Sequence, residues 1–583
     1  METGRVNSEQ IPGHTASDAA TIPAPARRRR TPFDIVPLTI VLPCAAAGAV
    51  AATSAIALDA PLWATTGAGI AVSALGAARA RRTNIWRILG LRVALWWRNR
   101  GEHAGPSHTE PFDVPMPESG GRCGMRWDGS HLITMLALDR TEVTPTLLDT
   151  AGIRSSSGVS LADVARCLAQ FDIRLASVDV ITLGVRTQGP HNVVGPYAKL
   201  LGPLPAAASR TVWLVLRFDP LDNAGAIDNR GGGQEGMIRT ALVATRRVAS
   251  RLTTRRVRVS VLAAEELAAA EAAALHDTDM EQWSEDWRVL RSNSIELAGY
   301  AIPSDRLDSG VLSAVWALPG TSVLTRLRLT LEPESKIPGR RGSAVAVTAL
   351  VRRDITGRDD IEPDSATADL GLLPLPGNQR RLLLDGGHLD PSAALSGPPA
   401  AMARFTVPVG GCGQVIGATE DGSGVAVPLF GSFVRRVEII GSLRFTQLMV
   451  LRSVAVGAKV IVHSVRPAAW EHLVDEVGAP AALSISSAGG SHHAAAATMI
   501  IYDGVTSAGQ VSDATAVYVR EPEEGQAAVL DADVVLIESA DSPGRVVLRT
   551  AGDDLTVRLV SISEEFEYLG ATAAEARALV PTA

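Results

Sequence analysis

The stretch VEIIGSLRFTQLMVLRSVAVGAKVIVHS, Val437 to Ser464, decides the fold. Val437–Ile440 is a short apolar run with strand character. Leu443–Ala455 carries apolar residues at helical spacing, and Lys459–Ser464 returns to a strand-like run. Strand, helix and strand in that order predict a mostly parallel sheet with helices on its faces. The pattern continues towards the C-terminus. Ala468–Val477 reads as a helix, and Met499–Tyr502, Ala516–Val519 and Val534–Glu538 as short apolar strands. Val546–Leu548 and Leu555–Ile562 suggest a closing hairpin. These elements make a C-terminal α/β domain over residues 403–583.

In outline this domain is nucleotidase-like, but without a phosphate-binding loop. Such a loop needs several glycine N–H groups, a lysine and a Ser/Thr for magnesium. Here the strand passes straight into Gly441-Ser442 and the helix. The only lysines are Lys199, Lys336 and Lys459, and none sits in that setting. Asp503 closes the strand MIIYD as a magnesium carboxylate would, but strands ending in Asp are common. Asp531 and Asp533 have D-x-D spacing yet precede their strand. They carry the alternative reading, a membrane-tethered transferase or nucleotide-binding enzyme. His492-His493 are adjacent and poorly placed to share a metal, and His463 reads as structural. No cofactor and no catalytic residue is expected.

Upstream, the texture is also α/β. Leu132–Leu138, Arg174–Val185, Thr211–Phe218, Val257–Leu262, Trp287–Tyr300, Ser322–Leu331 and Ser343–Arg352 read as strands. Leu161–Phe171, Met237–Leu252 and Ala263–Leu275 read as helices. They form a first domain over 122–353. RGGGQEG, Arg230 to Gly236, is a loop before a helix whose Glu235 already complements the helix dipole. Residues 354–402, acidic at first and ending in GPPAA, read mostly as a linker, with LLPLPGNQRRLLLDGG (Leu372 to Gly387) as a short ordered piece within it; 101–121 also read as a linker.

The N-terminal part differs. Residues 1–31 are expected to be a disordered tail ending in Arg27, Arg28, Arg29 and Arg30. Two uncharged runs follow, 35–58 and 62–78, within a segment 32–82 closed by Arg79, Arg81 and Arg82. About 20 apolar residues cross a bilayer. The runs predict a transmembrane hairpin, with both basic blocks on the cytoplasmic side. Residues 83–100 form an amphipathic juxtamembrane stretch. Its Trp86, Trp96 and Trp97 suit a headgroup interface, and its Arg87, Arg92, Arg98 and Arg100 suit anionic lipid. Docking on a protein surface fits the same residues.

The chain has 583 residues, 46% of them hydrophobic and 20% charged, enough for several cores rather than wholesale disorder. Mean hydropathy of +0.15 suits a few membrane spans attached to a large aqueous part. The net charge of -7 gives no general reason for nucleic-acid binding. Cys44, Cys123, Cys167 and Cys412 form no C-x-x-C pair, which argues against a zinc ribbon or a disulfide framework.

The order of these segments resembles the EccE family of the type VII (ESX) secretion system of mycobacteria and related actinobacteria. The likeness rests on paired apolar runs, the Trp/Arg stretch, and CGMRWDG (Cys123 to Gly129) followed by HLITMLAL. RGGGQEG, SAVWALPG (Ser313 to Gly320), VPLFGSFVRRVEIIG and VIVHSVRPAAWEHL complete the series. The chain is longer than many members. The resemblance implies an inner-membrane, multi-pass structural subunit at the periphery of the secretion complex. It implies assembly with EccB, EccC and EccD, with a mycosin as a further candidate partner, and ATP hydrolysis supplied by EccC.

Overall fold

The structure, a computed structural model, describes isolated positions between 49 and 80, residues 83–100, and residues 109–570 with interruptions. These fall at 118–119, 151, 254–256, 293–294, 333–343, 357–363, parts of 385–393, 487–496, 506–512, 522–531, 540 and 543. Apart from the isolated positions, the runs 35–58 and 62–78 lie outside the described residues. So do Arg27, Arg28, Arg29, Arg30, Arg81 and Arg82. Among the described residues no helix is long and apolar enough to cross a membrane.

Two large sheets organise the described body. The first is antiparallel. Its spatial order is Ser284–Glu285, Leu290–Ser292, Ile295–Ile302, Val345–Thr356, Ser322–Leu331, Ser177–Val185, Ser209–Phe218, His131–Arg140, Arg122–Asp128 and Phe112–Pro115. Period-two alternation sorts its side chains. On Ser322–Leu331, Val323, Leu327 and Leu329 join the main core, and Leu324, Arg326 and Arg328 point to the other face. We label α1 Ile85–Arg100, α2 His191–Leu201, α3 Gly233–Thr253 and α4 Ala264–Ala274. α3 packs Ala241, Ala244 and Val248 into the main core. α4 covers the opposite face, where Leu267 meets Ile133, Met135 and Trp213.

The second sheet has the parallel centre that the Val437–Ser464 stretch predicts. α5 is Leu443–Ala455 and α6 is Ala468–Val477. A short parallel strand, Leu483–Ile485, lies at one edge beside Val460–Ser464. Numbered along the chain, the other five parallel strands are Arg436–Ile440, Val460–Ser464, Met499–Asp503, Thr515–Arg520 and Val534–Glu538. Their spatial order is fifth, first, fourth, third, second. Antiparallel strands extend the sheet beyond the fifth, starting with Arg545–Thr550 and Asp554–Leu559.

The two units interlock. Thr146–Asp149 and Gly152–Arg154, expected in the first domain, form the far edge of the second sheet. α2 leaves the first sheet between two of its strands, yet buries Val193, Tyr197 and Leu201 in the second core. Tyr197 Oη accepts the Val415 N–H at 2.9 Å. A Cβ on Gly189 would stand 2.2 Å from the Val454 carbonyl oxygen, so only glycine allows this approach. Residues 354–402, expected as a linker, carry structure. Leu373–Pro374 pairs with Ile295–Ile302, and Leu395–Gly397 with Val345–Thr356. Within 101–121, Phe112–Pro115 pairs with Arg122–Asp128.

Candidate functional site

In an open parallel sheet, ligands bind outside the carboxyl ends of the strands where strand order reverses. Here that edge lies around the end of Arg436–Ile440. Ser442 caps α5 by accepting the Phe445 N–H at 3.2 Å. A phosphate would sit at this helix N-terminus. Instead Glu538, from the neighbouring strand end, accepts the Ser442 N–H at 2.7 Å. A Cβ on Gly441 would stand 2.8 Å from the Glu538 carboxylate, so the glycine lets the carboxylate close on the helix.

The other strand ends are similarly engaged. Asp503 accepts bonds from Ser464 Oγ (2.6 Å), Arg466 Nε and Nη2 (3.0 Å each) and Trp470 Nε1 (3.0 Å). Burial works to raise its pKa, but the bonds from Arg466, Ser464 and Trp470 outweigh it and hold the carboxyl below the usual carboxylate range. Arg466 also pairs with Glu521 at 2.9 Å, and Arg520 with Glu438 at 2.8 Å. Asp503, poised in sequence for magnesium, is thus taken up by its own neighbours. Asp533 accepts the backbone N–H groups of Arg435 and Arg436, a structural use, and Asp531 lies outside the described residues. His463 stacks on Tyr502, and Tyr502 on Tyr518. His492 and His493 are outside the described residues. Among those described, no group of three metal-ligating side chains comes together.

RGGGQEG is held locally. Arg230 pairs with Asp172 at 2.6 Å, and Glu235 with Arg239 one turn along α3. Neither Glu538 nor Arg466 stands out in sequence; only the strand order that brings them to one edge reveals them.

The remaining expected anchor residues are on α1, apart from Arg79. Arg98 donates to the Gly377 carbonyl at 2.7 Å and pairs with Glu285 at 3.2 Å. Asn99 donates to the Glu285 carbonyl at 3.0 Å, and Arg92 lies 5.2 Å from the Trp287 ring centroid. These contacts dock α1 on the edge of the first sheet. Leu89, Val93, Trp96 and Trp97 fall on another face at helical spacing and stand out, Trp97 to 67%. Arg100 packs 3.8 Å from the Trp96 ring centroid. The side chains of Arg79, Trp86 and Arg87 lie outside the described ones.

The fold and its edge define a two-sheet α/β protein in which the place for a phosphate is closed by the protein's own carboxylate. The EccE family profile, described as type VII ESX secretion system translocon, EccE, matches residues 206–302. This segment runs through α3 and α4 of the first unit. The ESX-1 secretion system protein EccE1 of Mycolicibacterium smegmatis is 26% identical over 387 residues, covering 65% of this chain and 73% of that protein. Its namesake in Mycobacterium tuberculosis is 26% identical over 400 residues, covering 68% and 77%. The ESX-5 secretion system protein EccE5 of Mycobacterium marinum is 27% identical over 282 residues, covering 46% and 68%. The chain is thus similar to EccE proteins over much of its length, in line with the resemblance of its motifs.

Proposed function

We propose that the chain is a membrane-anchored structural subunit at the periphery of a type VII (ESX) secretion complex, without catalysis of its own. The runs 35–58 and 62–78 form a hairpin in the inner membrane. Arg27, Arg28, Arg29 and Arg30, with Arg79, Arg81 and Arg82, hold both of its ends at the cytoplasmic surface. The two-sheet body is cytoplasmic and meets EccB, EccC and EccD, with a mycosin as a further candidate partner. ATP hydrolysis comes from EccC.

The observation that carries this reading is the two-faced α1. Arg92 and Arg98 engage the body, and Leu89, Val93, Trp96 and Trp97 stand out on the other side. A helix of this kind lies in the headgroup region, where tryptophan has one apolar and one wet end. Arg87 and Arg100 add attraction to anionic lipid. The helix then fixes the distance and tilt of the first sheet relative to the bilayer. Closure of the second sheet's edge by Glu538 and Arg466 supports the non-catalytic part.

The test is extraction in a non-ionic detergent. The chain is expected to co-purify with EccB, EccC and EccD at one native mass, and Trp96→Ser with Trp97→Ser to reduce its recovery in the membrane fraction. A chain free in the soluble fraction after lysis, or one that hydrolyses nucleotide unaided, contradicts the proposal.

A further inference from the structure

On the α4 side of the first sheet lies a cavity of about 120 Å3. Its apolar lining includes Met135, Trp213, Val215, Leu324 and Leu350, and α4 and the helix Gln379–Leu383 also border it. The size is close to the roughly 150 Å3 of an engineered cavity that takes up benzene.

The charges around it do not balance. Arg126 pairs with Glu271 at 2.6 Å. Arg217 bonds Asp179 at 2.5 Å and stands 3.6 Å from Asp128. Arg328 holds Asp179 through two bonds of 2.6 and 2.7 Å. Arg352 holds Asp354 through two bonds of 2.7 Å, and Asp354 also takes His276 at 2.8 Å. Each of these four arginines has a carboxylate.

Arg326 has none. It is 8% exposed and lines the cavity. Its Nη2 donates to the carbonyls of Leu382 (2.5 Å) and Gly387 (3.3 Å). Its Nε and Nη1 have no partner among the described residues. Burial, then the charge of Arg328, push its pKa down to about 9; Asp179 opposes this, and Arg217 and Arg352 add to it. A buried guanidinium in such company is costly unless an anion joins it.

We infer that this cavity binds a small organic monocarboxylate, with its carboxylate on Arg326 and its apolar body against Trp213, Leu324 and Leu350. The planar fork of arginine matches a carboxylate through two parallel bonds. One missing negative charge calls for a monoanion rather than a phosphate dianion. The apolar lining favours a compact hydrocarbon body, such as a ring, over a highly hydrated ion. The site does not depend on the anchoring role of α1.

The experiment is calorimetric titration of the full chain in non-ionic detergent with benzoate, beside neutral benzamide and inorganic phosphate. Saturable benzoate binding is expected, with a Kd below about 1 mM. Benzamide and phosphate should not bind. Arg326→Met should weaken benzoate by about tenfold or more without lowering the melting temperature of the unliganded chain. Leu324→Phe keeps the arginine and fills the space, so it too should weaken benzoate by about tenfold or more. It serves as the test should Arg326→Met fail to fold. Absence of benzoate binding, equal binding of benzamide, or benzoate binding retained in the variants would overturn the inference.

Discussion

Arg452 in the second sheet and Arg326 in the first are both withdrawn from water, and they are satisfied in opposite ways. Arg452 on α5 is fully buried. Its Nε and Nη2 bond Glu565 at 2.8 Å each, and its Nη1 reaches the carbonyls of Val415 and Ile416 at 2.9 and 3.1 Å. Nη2 also donates to the Val560 carbonyl at 2.5 Å. That guanidinium ties a helix, a strand and the chain beyond the last hairpin into one core. Arg326 has two carbonyls on one nitrogen and an open cavity beside the others. The comparison separates structural charge from charge that awaits a ligand. The same logic covers the strand ends of the second sheet, where Glu538 and Asp503 already have partners.

The largest expected effect comes from breaking the satisfied side. Glu565→Ala strands Arg452 in the core and should cost about 3–5 kcal/mol in chemical denaturation. Asp179→Asn weakens the bridge between Arg217 and Arg328, and its effect should depend on pH. Burial alone would raise the Asp179 carboxyl, but the charges of Arg217 and Arg328 outweigh it and hold it well below the usual range. A depressed carboxyl contributes its stability above its unfolded pKa, near 3.9, and loses it as pH falls through the folded value. The gap between wild type and Asp179→Asn should therefore be full at neutral pH and shrink only in strong acid. A gap unchanged across that range would break the assignment.

The smaller effects sharpen the comparison. Glu538→Gln keeps an acceptor near the Ser442 N–H but removes the charge at the helix N-terminus. It should cost about 1 kcal/mol and confer no nucleotide binding in a calorimetric titration. The smallest effect belongs to Arg326→Met. Removing an uncompensated charge should leave the melting temperature level or raise it, opposite in sign to the loss from Glu565→Ala.

Much of the second sheet was legible in sequence because its strands and helices are local and periodic. Val437–Ile440, Leu443–Ala455 and Lys459–Ser464 fall within a residue of the observed elements. The interlocking of the units was not legible. Thr146–Asp149 and α2 join the second core through partners more than 200 residues away in the chain, such as Val415 for Tyr197, and periodicity carries no record of such pairing. Within 354–402, Leu373–Pro374 falls in the piece that reads as ordered, whereas Leu395–Gly397 reads as linker because it is too short to show alternation. The motif CGMRWDG drew attention for its family likeness, and its Arg126 and Asp128 prove to line the cavity. That Arg326 meets no carboxylate among the described residues depends on which acids face it across neighbouring strands, so only the fold could reveal it.

The central claim is that α1 turns one face to the body and the other to lipid. Single cysteines at Val93 and at Ala94, on a chain with Cys44, Cys123, Cys167 and Cys412 replaced by serine, allow a fluorophore on each face. In vesicles containing anionic lipid, the probe at position 93 should be quenched by nitroxide-bearing lipid and shielded from iodide, whereas the probe at 94 should be little affected by the lipid quencher. Equal quenching of both probes by iodide, with none from the lipid nitroxide, would contradict the account.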